Sequence, residues 1–194
     1  MTIQAIICSK DRALQLNLLL DSIKKNGNNL FSPIYILYKF SNDDYKKGYD
    51  KLIEKYGKKY CFFEEHNFKS DFELLCIPET PLIIFFVDDN IFYRSINKTY
   101  EEINELFEKE KVNCLSLRLG RNTIIQDQYN NVGANPPKKS TLYNDFLIWH
   151  IKDVPGFSNY NYSLSLDAHI YLTENIQKTI NKTEFKNPNF LEGN

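Results

Sequence analysis

The sequence predicts a single α/β domain, three layers deep, with helices on both faces of a mostly parallel central sheet. Three observations carry this. Short apolar strands alternate with amphipathic helices through the first half, an order that predicts right-handed crossovers. Leu82-Ile-Ile-Phe-Phe-Val87 is an unbroken apolar run, as in a strand buried on both faces. The chain's 194 residues, 42% of them hydrophobic, suffice for one sizeable core.

The elements follow in order. Ile3 to Cys8 reads as a strand, and Ala13 to Ile23 as a helix with Leu16, Leu19, Leu20 and Ile23 on one face and a stop at Gly27. Pro33 to Tyr38 is a second strand. Ser41-Asn-Asp-Asp44 caps a helix carrying Tyr45, Tyr49, Leu52, Ile53 and Tyr56, which Gly57 ends. Tyr60 to Phe63 is a strand, Asp71 to Cys76 part of a helix, and Leu82 to Val87 the fourth strand. Lys98 to Lys111 reads as a charged helix, Asn113 to Arg118 as a strand, and Leu119 to Thr141 as a long loop of the kind that often carries function. Tyr143 to His150 reads as a strand and Ser165 to Ile176 as a helix with Ser165 at its cap. The tail after Asn181 is polar and expected to be mobile.

A net charge of −1 gives no electrostatic reason to expect nucleic acid or an anionic membrane. Cys8, Cys61, Cys76 and Cys114 lie in or beside apolar runs without metal-ligand spacing, which suits buried free thiols in a reducing compartment. No apolar run reaches the roughly 20 residues of a membrane span, and Met1-Thr-Ile-Gln-Ala-Ile-Ile-Cys8 lacks the basic start of a secretory signal. A cytoplasmic protein is the expectation.

The apolar run ends on Asp88-Asp89-Asn90. In open α/β sheets ligands bind beyond the carboxyl ends of the strands, and two carboxylates there suit a hard divalent cation bridging to phosphate oxygens. Asp and Asn also favour ordinary turns and helix caps. Held close together by apolar flanks, however, two like charges need a compensating cation or donor.

Three pieces, Ile7-Cys-Ser-Lys-Asp-Arg-Ala-Leu-Gln-Leu16, Val87-Asp-Asp-Asn-Ile-Phe92 and Tyr162-Ser-Leu-Ser-Leu-Asp-Ala-His169, together resemble a nucleotide-sugar glycosyltransferase of the GT-A fold. The resemblance runs from about Thr2 to Tyr171. It implies a nucleotide-sugar-binding half over about residues 1–95, an acceptor and catalytic half over about 96–180, and a tail at 181–194. It departs from the family in reading Asp-Asp-Asn rather than Asp-x-Asp.

By this resemblance Asp89 contacts a Mn²⁺ or Mg²⁺ ion, Asp88 reaches the ribose, and Asn90 supplies an amide oxygen to the ion or orients the carboxylate. Ser9 and Arg12 lie where the nucleotide binds, and Lys69 could meet a phosphate. Arg118, with Arg121 and Asn122, could contact donor sugar or acceptor. Asp167 is the expected base of an inverting transfer. His169 is a second candidate for the metal or a phosphate, although i and i+2 side chains on a helix diverge. Each residue also has a purely structural reading: Asp11 and Arg12 as a cap and pair, Lys69 as a solvated lysine, Asp167 as a helix cap, His169 as a packed residue. Trp149 and Tyr162 are aromatic platforms of the kind sugars stack on.

The implied partners are a nucleoside diphosphate sugar and a glycan or other hydroxyl acceptor, for hexosyl or pentosyl transfer. A nucleotidyltransferase would need a glycine-rich loop after the first strand, and Ser9-Lys-Asp-Arg-Ala13 has no glycine. A non-catalytic nucleotide- or sugar-binding module of the same fold is the remaining alternative.

Overall fold

The computed structural model describes residues 1–77, 80–126, 132–133, 136–154, 158–162 and 164–193. Strands β1 (Ile3–Lys10), β2 (Phe31–Lys39), β3 (Cys61–Glu64) and β4 (Leu82–Val87) are parallel to one another. With β5 (Cys114–Ser116) and β10 (His169–Leu172) they form a six-stranded sheet of order β3-β2-β1-β4-β10-β5, in which β10 runs antiparallel to both neighbours. The unbroken apolar run of β4 is explained by its surroundings. Leu82, Ile84 and Phe86 enter one core, and Ile83 and Phe85 enter the other. β1 divides in the same way, with Ile3, Ala5 and Ile7 on one side and Ile6 and Cys8 on the other.

Helices α1 (Ala13–Asn26), α2 (Asp43–Tyr56) and α4 (Tyr100–Glu110) cover the first face; α3 (Phe68–Leu75), α5 (Thr173–Ile180) and α6 (Pro188–Gly193) cover the second. Their ends follow local chemistry. The Asn42 side chain accepts from the N–H groups of Asp44 and Tyr45, and Thr99 and Glu102 form a reciprocal capping box on α4. Gly27 closes α1 with φ −76°, an ordinary right-handed value. Glycine is needed there because a Cβ would stand 2.6 Å from the Ile23 carbonyl oxygen.

Four expectations are corrected. Tyr143 to His150 is a hairpin, β8 (Thr141–Tyr143) paired with β9 (Phe146–Ile148), turning at Asn144 and Asp145 with φ of 45° and 69°. Two consecutive positive φ values match the right-handed strand twist. The helix expected from Ser165 to Ile176 is instead β10 followed by α5, because His-Ile-Tyr-Leu fills the gap between β4 and β5. The tail is folded: Phe185 and Leu191 are buried in the second core. Cys61 is exposed on edge strand β3, although all four cysteines are free thiols. The long loop carries a short antiparallel pair, β6 (Ile125–Gln126) with β7 (Val132–Gly133); residues 127–131 and 134–135 lie outside the described part. No helix among the described residues is long and apolar enough to cross a membrane.

Candidate functional site

The strand order reverses between β1 and β4, since β1 leads to β2 on one side while β4 lies on the other. That switch point is where ligands sit in open α/β sheets. A cleft of about 670 Å³ opens there, lined among others by Ser9, Arg12, Asp88, Asp89, Arg118 and Asp167. The reversed strand β10 begins at this same edge. Asp167, which precedes β10, therefore arrives beside the residues that follow β4.

Asp88 is buried, and the Lys10 N–H donates to its Oδ2 at 3.3 Å. Burial raises its pKa above the ordinary carboxylate value, against the opposing pull of Ser9 and Arg12. The side chain of Asp89 is more than half exposed and meets Arg12 Nη1 at 2.9 Å, while the same nitrogen lies 3.5 Å from Asp88 Oδ1. Asp88 first, and then Asp89, raise the pKa of the guanidinium. Because Arg12 and Asp89 are both half-exposed, their pair adds little to stability. Its significance is local: Arg12 supplies the compensating positive charge between the two carboxylates.

The loop that carries Arg12 is held from below. Fully buried Tyr49 places its hydroxyl 2.8 Å from Ser9 Oγ, and the Arg12 N–H donates to the same hydroxyl at 3.2 Å. Asp11, at φ 58°, accepts from the N–H and hydroxyl of Ser41.

Asn90 faces the other way. Its Oδ1 accepts from the Val87 N–H at 3.1 Å, and its Nδ2 donates to Asp167 Oδ1 in a short contact. Arg118 Nε stands 2.7 Å from Asp167 Oδ2, an ion pair whose N–H is not aligned for a hydrogen bond. Asp167 thus sits between an amide and a guanidinium, about one-fifth exposed to the cleft. The next residue, Ala168, adopts φ 57° and is pinned at both ends: its N–H donates to the Phe85 carbonyl and its carbonyl accepts from the Leu117 N–H. A left-handed alanine is uncommon, and such backbone recurs at functional sites.

Three expected site residues, Asn90, His169 and Lys69, do not line the cleft. Asn90 is expected to supply an oxygen to a metal ion, but it is engaged by the Val87 N–H and by Asp167. His169 is buried on β10, and its Nδ1 lies 2.7 Å from the Asp167 carbonyl. A carbonyl only accepts, so Nδ1 carries the proton. Burial pulls its pKa down to about 4, which leaves the ring neutral. Lys69 pairs with Glu184 and Glu73 in a neighbouring groove, apart from Asp88 and Asp89. Arg121 and Asn122 stand exposed in the turn after Gly120. Trp149 donates to the Tyr160 carbonyl and packs edge-on against that ring, which makes it structural, whereas Tyr162 lines the cleft.

Among the described residues no three His, Cys, Asp or Glu side chains are grouped to enclose a metal ion. The donor set still fits Mg²⁺ or Mn²⁺ of the substrate-bridging kind, which takes one or two carboxylates and completes its shell with phosphate oxygens and water. Asp89 is the accessible carboxylate for that purpose and Asp88 the sheltered one behind it.

No protein-family model and no curated protein matches the sequence. Solved structures do match. The crystal structure of S. aureus TarS 1-349 superposes with a TM-score of 0.56, covering 98% of this chain and 54% of its own, at 14% identity. The fold is similar to that of TarS. The TarS 1-349 complexes with UDP and with UDP-GlcNAc each give a TM-score of 0.51 over 92% of this chain, at 15% and 16% identity. This chain spans about half the length of the TarS 1-349 structures. At such identity the likeness concerns the fold.

Two residues essential to the geometry carried no functional signal in the sequence. Tyr49 reads there only as part of an apolar helix face. Glu192 reads as tail, yet its Oε1 accepts from the Leu166 N–H at 2.6 Å and from Ser165 Oγ at 3.1 Å, and so fixes the segment that presents Asp167. Both act through distant contacts that no local pattern announces.

Proposed function

We propose that this chain transfers a sugar from a nucleoside diphosphate sugar to an acceptor hydroxyl, with inversion at the anomeric carbon. One observation carries the reading: the Asp88-Asp89 pair at the switch point opens into the same cleft as Asp167, which is held by Arg118 and Asn90. The fold likeness to a protein crystallised with UDP and UDP-GlcNAc supports it.

The nucleotide lies over the ends of β1 and β4, with Ser9, Arg12 and Asp88 toward base and ribose. A Mn²⁺ or Mg²⁺ ion held by Asp89 would neutralise the charge that develops on the departing diphosphate. Asp167 accepts the proton of the acceptor hydroxyl. The acceptor oxygen bonds to the anomeric carbon as the bond to the diphosphate breaks, and the diphosphate leaves with the electron pair. Arg118 Nε and Asn90 Nδ2 each approach one oxygen of Asp167, which orients the carboxylate for that transfer.

Calorimetric titration with UDP, GDP and ADP, each with and without Mn²⁺, tests the reading. Metal-dependent binding of one of them is expected. The absence of binding to all three under both conditions would overturn it.

A further inference from the structure

One face of α1 stays uncovered. Leu16, Leu19, Leu20 and Ile23 are buried against the sheet. Asn17 and Asp21 turn toward α2, where they meet Lys55 and Tyr56. Ser22 and Asn26 turn the other way and hold residues 92–96. At 3.6 residues per turn, Leu14, Leu18 and Lys25 lie between those two flanks and point outward. Leu14 is 72% exposed and Leu18 48% exposed.

The patch continues off the helix. The Phe92 N–H donates to Ser22 Oγ, one turn beyond Leu18, and the Phe92 ring packs inward against Phe31 and Phe86. Its neighbours are turned out: Ile91 is 56% exposed and Tyr93 75% exposed. Leu14, Leu18, Ile91 and Tyr93 are thus presented to water by a helix and by a segment tied to it. A lone exposed leucine is ordinary, but a group on a fixed backbone marks an interaction surface.

The charges around this surface are one-sided. Asp21 is engaged by Lys55 and Tyr56, and Asp89 by Arg12. Lys25 and Arg94 have no acidic partner among the described residues, and the Arg94 guanidinium lies 5.3 Å from the centre of the Tyr93 ring. The net charge of −1 conceals this local excess of cations. Leucine, tyrosine and unpaired cations side by side match the interface of an anionic bilayer. Apolar side chains enter its outer acyl region, tyrosine sits at headgroup level, and lysine or arginine meets the phosphates.

We propose that the outer face of α1, with Ile91 and Tyr93, docks the protein on anionic lipid bilayers. Arg12, two residues before Leu14, lines the cleft, so docking holds the cleft beside the bilayer surface. The inference does not depend on the transferase reading. Vesicle flotation of the full chain tests it, with phosphatidylglycerol and phosphatidylcholine in equal parts against phosphatidylcholine alone.

Wild type is expected to float with the anionic vesicles, to bind the neutral ones about tenfold more weakly, and to be released by high salt. Leu14→Gln/Leu18→Gln should keep the wild-type melting temperature and bind anionic vesicles about tenfold more weakly. Tyr93→Ser should weaken binding in the same direction without touching the helix. Lys25→Gln/Arg94→Gln should reduce binding to the level seen on phosphatidylcholine. Wild type that does not float, or leucine and tyrosine variants that float as wild type does, would overturn the proposal. So would a wild-type dimer in sedimentation velocity that Leu14→Gln/Leu18→Gln converts to monomer, because a second copy would then cover this face.

Discussion

Asn90 donates its amide to the carboxylate of Asp167 while its own oxygen is held by the Val87 N–H. An asparagine suits this position. A carboxylate at position 90 would press a second negative charge against Asp167, and two carboxylates at hydrogen-bond distance cannot both ionise freely. The amide joins the end of β4 to the candidate base without that conflict. Asn90→Asp should lower transfer more than Asn90→Ala does and shift the acid limb of the pH–rate profile upward, with nucleotide affinity unchanged in both. Steady-state kinetics across pH checks this; an unshifted profile in Asn90→Asp would remove Asn90 from the role.

Asp167→Asn conserves volume and removes the base. Turnover should fall by ~10²–10⁴ with little change in donor affinity. Single-turnover transfer together with nucleotide calorimetry separates the two quantities. Product with the donor's own anomeric configuration would exclude the single displacement assigned to Asp167.

Asp89→Ala should abolish metal-dependent nucleotide binding while leaving the fold intact, because its side chain is more than half exposed. Arg12→Gln removes the charge that compensates Asp89 when no cation is bound. Mn²⁺ alone should then bind more tightly than to wild type, as paramagnetic resonance of free Mn²⁺ can measure. An unchanged Mn²⁺ affinity would show that Arg12 and the cation do not compete.

The buried His169 predicts an acid limb in stability. Its folded pKa of about 4 lies below the ordinary value of 6.5. The unfolded chain therefore takes up the proton first as pH falls. The stability of the neutral ring is complete above pH 6.5 and is lost between there and pH 4, an amount of order ~3 kcal/mol. His169→Gln removes this titration. Urea unfolding at pH 7 and pH 4 should show a smaller loss in the variant than in wild type. Asp88, whose raised pKa acts in the opposite sense, is common to both proteins and cancels in the comparison.

The first half of the fold was legible because its central strands β1 and β4 are buried on both faces and its helices have identifiable ends, at Gly27, Asn42 and Gly57. The acidic end of β4 was legible for the same reason, since an apolar run that stops on charge marks a strand leaving the core. β10 was not. Its four residues form a strand only through β4 and β5, pairings that no local propensity encodes. The turn at Asn144-Asp145 lacks the glycine that usually announces two positive φ values. The amide of Asn90 could be placed near a ligand from sequence, but its partner lies 77 residues away and becomes visible only once β10 is seen to run backwards.

That reversal has an evolutionary consequence. The stretch between Leu117 and Asp167 leaves the sheet from β5 and returns to it at the start of β10, two strands hydrogen-bonded to each other. Its two ends are thus fastened side by side, whatever lies between them. Between Arg118, which pairs with Asp167, and Ser165, which with its neighbour Leu166 is held by Glu192, the intervening chain can change in length while the carboxylates of Asp88, Asp89 and Asp167 keep their spacing. A lineage built on this plan could change the surface beside the cleft by rewriting one excursion and leave these three carboxylates where they stand.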